Sequence, residues 1–156
     1  MTWLIVLAVA LSLFGSVYWL KPSARDTRLA KLRFDAIKMG LQVRQFTFKA
    51  DSAKNGVRED ITGTSYTLMT DVKQQGGDVL FRVVGQPAWD SEGLPEGLSW
   101  HDKGTAEDAR RVSEALAALD DDILLLEVFS NRVVLMATEH KTASAENYMR
   151  FLKAFV

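Results

Sequence analysis

From Trp3 to Leu20 the chain reads WLIVLAVALSLFGSVYWL, eighteen residues without a charge. As an α-helix this run is about 27 Å long, close to the roughly 30 Å hydrocarbon core of a bilayer. One helix, Met1–Leu20, is therefore expected to tie the chain to a membrane. A cleaved signal peptide would carry a basic leading region and a shorter apolar core, and both are missing; the run ends in Val17-Tyr18-Trp19-Leu20 rather than in a small-x-small site. A buried helix of a soluble protein rarely runs so long without a charge.

The flanks orient the span. Only Met1 and Thr2 precede it, whereas Lys21, Arg25, Arg28, Lys31 and Arg33 follow it against the single acid Asp26. Basic residues collect on the cytoplasmic side, so the N-terminus is expected outside (periplasmic in a bacterium) and residues 22–156 in the cytoplasm. Trp3 at one end, and Tyr18 and Trp19 at the other, occupy the interfacial positions that anchor a span.

What remains after the span is enough for one compact domain. A formal net charge of −1 argues against nucleic acid as a partner. The chain has no Cys, which excludes disulfides, thiolate zinc sites and cysteine nucleophiles. Ser23 with Asp26 resembles a capping box, and Gly40 a C-terminal stop, giving a basic juxtamembrane helix from about Ala24 to Met39. Segments 41–48, 63–71 and 78–84 read as strands of a three-stranded meander, with Gln74-Gln75-Gly76-Gly77 as a turn. Residues 85–103 hold too much Gly and Pro for regular structure. Thr105 and Asp108 cap a helix with an apolar stripe, Ala109, Val112, Leu116 and Leu119. Segments 123–129 and 132–138 form a hairpin about Ser130-Asn131, and a last helix carries Tyr148, Phe151, Leu152 and Phe155. The expected fold is α+β: a transmembrane helix, then a mostly antiparallel sheet of about five strands with about three helices. The divisions are 1–20 anchor, 21–40 basic juxtamembrane helix and 41–156 cytoplasmic domain.

Candidate chemistry is sparse. The two histidines, His101 and His140, have no evident partner and read as exposed loop residues. Asp120-Asp121-Asp122 lacks the alternation of a calcium loop and reads as a solvated turn. Gly76-Gly77 is not followed by the Lys-Ser/Thr of a phosphate loop, and there is no GxSxG elbow. No catalytic residue, cofactor or metal is expected. Three features point to interactions instead. Ala8, Ser12 and Ser16, with Gly15 beside them, put small residues on one face of the span, where another helix can approach closely. Lys21, Arg25, Arg28, Lys31 and Arg33 suit anionic headgroups. Trp89, Leu94, Leu98 and Trp100 give the 85–103 connection the aromatic content of a contact surface, although the two tryptophans equally suit a lid on the core.

The layout of short outside N-terminus, single span and basic stretch resembles YajC, the small accessory subunit of the bacterial preprotein translocase. The later domain, with Leu94-Pro95-Glu96-Gly97-Leu98 and Asn131-Arg132-Val133-Val134-Leu135, does not resemble that subunit. Together with Lys21-Pro22-Ser23 it is similar to a group of proteobacterial single-pass membrane proteins of unassigned role that are sometimes given the translocase label. The resemblance implies a bacterial inner-membrane protein and carries over no functional residue. The expected function is a non-enzymatic adaptor, assembly factor or accessory subunit of an inner-membrane complex, in contact with lipids. The alternative is a membrane-tethered enzyme or small-ligand sensor using His101, Asp102 and the 85–103 loop.

Overall fold

In the computed structural model, which describes residues 1–70 and 76–156, the apolar run forms helix α1, Thr2–Trp19. It is long and apolar enough to cross a membrane, and none of its residues is buried. The chain divides into two units, Met1–Lys31 and Leu32–Val156. The division falls inside α2, Ala24–Lys38. Helix α2 starts as its sequence demands: the Asp26 amide donates to Ser23 Oγ at 3.1 Å, and Ser23 Oγ donates to the Asp26 carboxylate at 2.7 Å. It ends in a Schellman motif. Gly40 takes φ +96°, the Leu41 amide reaches the Ala36 carbonyl, and the Gly40 amide reaches that of Ile37, both at 3.0 Å.

The second unit is built on six antiparallel strands: β1 Gln42–Phe48, β2 Ile61–Met69, β3 Val79–Val84, β4 Ser99–Asp102, β5 Ile123–Phe129 and β6 Arg132–Ala137. Their order is β1-β2-β6-β5-β3-β4. Of the expected meander of the first three strands, the antiparallel pairing of β1 with β2 forms and that of β2 with β3 does not. β2 pairs with β6, Ser65 opposite Met136, and β3 with β5, Val83 opposite Leu126. The cause is apolar content. β5 and β6 are buried along most of their length, so their hairpin takes the centre of the sheet and separates β2 from β3. The sixth strand, β4, lies in the stretch expected to be irregular. Its four residues contain no Gly or Pro and pair with β3 at the sheet edge. Of the expected turn, Gln74 and Gln75 lie outside the described residues, as does Asp71, the expected end of the strand before it.

Side chains alternate between two faces. On one, Leu32 and Ala36 of α2 join α4, Ala106–Leu119, and α5, Ala145–Lys153, over Tyr66, Val83, Leu126 and Leu135. On the other, Phe48, Ile61, Val84, Leu125 and Met136 pack with Val57, Ala50 and Ala88. Beside this second cluster lies α3, Ser52–Asn55, between β1 and β2; Asp51 caps it by accepting from the Lys54 amide at 3.2 Å.

Candidate functional site

The second face carries a chain of charged groups that runs from β5 through β3 to the edge strand β4. Arg82 of β3 lies opposite Glu127 of β5 and Asp102 of β4. Its Nε donates to Glu127 at 2.7 Å and its Nη1 to Asp102 at 3.0 Å. The guanidinium lies 5.6 Å from the ring centres of both Phe48 and Phe129. Burial pushes the Glu127 carboxyl above its ordinary value, and the nearby Arg82 only partly offsets this. Burial also works to raise Asp102, but hydrogen bonds from His101 and Arg82 outweigh it and hold that carboxyl below the usual range.

His101 ends this chain. It is only 9% exposed, which corrects the expectation of a loop histidine: β4 turns its ring inward, edge-on to Phe48 at 4.9 Å. Its Nδ1 lies 2.8 Å from Asp102. Its Nε2 is buried without a partner, and so is Nδ2 of Asn55. Each such orphan costs about 1–3 kcal/mol. Both residues line one cavity of about 210 Å³, together with Lys54, Trp89, Asp90, Trp100 and Lys103. The surrounding loop is tied down. The Trp100 amide reaches the Asp90 carbonyl at 2.7 Å, Trp100 Nε1 the Glu92 carbonyl at 3.0 Å, and the Trp89 amide the Asn55 carbonyl at 3.3 Å. Lys103 bridges Asp90 at 3.0 Å and Glu92 at 2.7 Å.

Of the four residues expected to form an interaction loop, Trp100 and Leu98 are buried in the core, Leu94 is half-buried against it, and only Trp89, 72% exposed, faces outward. The indole of Trp89 covers Gly56, whose φ of +74° and lack of Cβ permit the approach. The contact-surface reading therefore fails for Leu98 and Trp100, whose side chains fill the space between the sheet and α4. In α1, Ala8, Ser12, Gly15 and Ser16 are exposed, and the Ser16 hydroxyl donates to the Ser12 carbonyl of its own helix at 2.8 Å. Lys21, Arg25 and Lys31 are exposed and Arg28 half-buried. Arg33 is partly exposed and paired within the domain. Its Nε and Nη2 clamp Glu139 at 3.2 and 2.9 Å, and Glu139 also accepts from the Tyr66 hydroxyl at 2.5 Å.

The three-aspartate turn is more than a solvated loop. Asp121 accepts from the hydroxyls of Thr138 and Tyr148, both at 2.5 Å, and so joins the start of β5 to the end of β6 and to α5. His140 is exposed, 2.8 Å from Asp122. Among the described residues, no group of three or more His, Asp or Glu is placed to hold a metal ion. The reading from sequence missed Arg82 and Asn55 altogether. A lone Arg in apolar β3 and a lone Glu in apolar β5 were the available signal for a buried pair; Asn55 carried none.

Fold and site define an α+β domain with a small cavity, following an apolar helix. No family model matches the chain, and no curated protein or solved structure shows significant similarity to it.

Proposed function

We propose that the chain is a membrane-tethered adaptor or accessory subunit of a larger bacterial inner-membrane complex, with its N-terminus periplasmic and its domain cytoplasmic. The observation that carries this reading is on α2. That helix buries Leu32 and Ala36, yet leaves Phe34 and Ile37 57% and 56% exposed, three residues apart and so on one face. Large apolar side chains grouped on a surface helix mark an interaction site. The small-residue face of α1 and the resemblance to the translocase-labelled group support the same reading. Lys21, Arg25, Arg28 and Lys31 add headgroup attraction of about 1 kcal/mol for each residue near an anionic surface.

The test is purification of the tagged chain in mild detergent beside a Phe34→Ser/Ile37→Ser variant. A stoichiometric partner lost from the variant, with an unchanged unfolding midpoint, is the expected result. Equal recovery from both proteins refutes the α2 surface. Topology is read from protease added to sealed spheroplasts: the domain stays intact if it is cytoplasmic and is digested if it is not.

A further inference from the structure

We infer that the free edge of β1 pairs antiparallel with β1 of a second copy of this chain, joining two sheets into one across a two-fold axis. The inference does not rest on the adaptor reading, which uses α2. The sheet ends in β1 on one side and in β4 on the other, and the two edges are finished differently. Along β4 the preceding connection folds back: the Trp100 amide donates to the Asp90 carbonyl at 2.7 Å, and Ser99 Oγ accepts from the Ala88 amide at 3.1 Å. β4 is also only four residues long and ends in the charged Asp102. Short, charged or covered edges keep foreign strands away. β1 has none of these protections. It runs for seven residues, Gln42–Phe48, with Arg44 as its one charge and without Pro. Its register with β2 is unbroken from Gln42 to Phe48, so no bulge twists the edge aside. Among the described residues, the β1 backbone makes no backbone hydrogen bond except to β2. Every second residue of an edge strand turns its N–H and C=O outward, and on β1 these groups meet no other strand.

A second copy is the occupant because β1 fits its own reverse. A symmetric antiparallel ladder is centred on one residue that faces its own copy. Centred on Gln45, the ladder overlaps along all seven residues of β1. Arg44 then lies opposite Phe46 of the second copy, and Val43 opposite Thr47. Alternation places Arg44 and Phe46 on the face of buried Phe48, and Phe46 is 40% exposed in the single chain. The pairing covers that ring with the facing guanidinium, a cation–π contact made twice by symmetry. Centring on Arg44 instead would oppose two guanidinium groups, and centring on Phe46 would shorten the overlap. Because the β4 edge is covered by its own connection, pairing through β1 uses up the open edge and stops at two copies.

The test follows the full chain in mild detergent by analytical ultracentrifugation over a dilution series. The expected parent is a reversible dimer. Phe46→Lys sets a cation opposite Arg44 in both symmetric pairs and should weaken the dimer about tenfold, whereas Phe46→Glu sets an anion there and should hold it. Phe46→Lys/Arg44→Glu restores opposite charges and should recover the dimer, which separates loss of pairing from loss of folding. The chain has no Cys, so one introduced thiol reports one place. A short bismaleimide should join copies of Gln45→Cys and leave Thr62→Cys, on the neighbouring strand β2, unjoined. A monomeric parent, a dimer equally tight in Phe46→Lys, or crosslinking at Thr62→Cys in place of Gln45→Cys overturns the inference.

Discussion

Replacing Glu139 should cost more than its place after the last strand suggests. Its carboxylate accepts the hydroxyl of fully buried Tyr66 and a two-pronged bond from Arg33. The Tyr66 bond, made to a charged acceptor, is worth about 1.5–3 kcal/mol. Arg33 is partly exposed, so screening limits its pair to about 1 kcal/mol or less. Glu139→Ala should therefore lose about 2–4 kcal/mol, and Glu139→Gln, which keeps an acceptor for Tyr66, about 1 kcal/mol. Glu139 also sits at φ +54°. A left-handed residue with a Cβ costs about 1–2 kcal/mol, so Glu139→Gly should recover roughly that much relative to alanine. The assay is urea unfolding of the full chain in mild detergent, followed by the emission of buried Trp100. A cycle with Tyr66→Phe should be clearly non-additive, because both changes remove the same bond. Additive losses, or an alanine variant within about 0.5 kcal/mol of the parent, would refute the reasoning.

Three further outcomes follow from the same structure. Asp102 is held low in the fold, so its stabilisation is complete above the unfolded value of about 3.9 and is lost as pH falls through the lower folded one; Glu127, held high by burial, works the other way and lowers stability as pH rises from about 4.3 through its folded value. Urea midpoints against pH should therefore show a shallower acid limb in Asp102→Asn and a weaker decline above that limb in Glu127→Gln. Gly85→Ala should unfold several degrees earlier in a thermal melt, because its Cβ would run into the Ile123 carbonyl, a backbone atom that cannot step aside. If α1 spans the membrane as proposed, Ser12→Leu should weaken helix association there by about 1 kcal/mol, read by crosslinking, without impairing insertion; unchanged association makes α1 a plain anchor.

Local signals were legible in the sequence where one residue or its near neighbours decide the outcome. The apolar run gave α1, Ser23/Asp26 and Thr105/Asp108 capped α2 and α4, and the hairpin at Ser130-Asn131 joined β5 to β6. The partners of β2 and β3 were not legible, since pairing is settled between segments far apart and by which strands most need burial on both faces. β4 was hidden because the Gly and Pro before Ser99 dominate the composition of its surroundings. The cavity was hidden for a related reason: Asn55 and His101 look like ordinary loop polars until the sheet brings α3 over β4. Trp100 and Leu98 share the sequence neighbourhood of Trp89, but Trp100 in β4 and Leu98 just before it are buried in the core.

The sheet order sets a problem of timing. Strands leave the ribosome from β1 to β6, yet the centre of the sheet is the pair made last. The β1–β2 ribbon and β3 with β4 have nothing to join them until Ala137 has been synthesised. Long-range antiparallel pairing of this kind is slow and leaves strand edges open to other chains. If α1 is taken into the membrane as it emerges, the growing domain waits at the bilayer surface with its two halves unjoined. Variants that slow closure of the β5–β6 hairpin should then lower yield through aggregation during synthesis, even where the finished fold is stable.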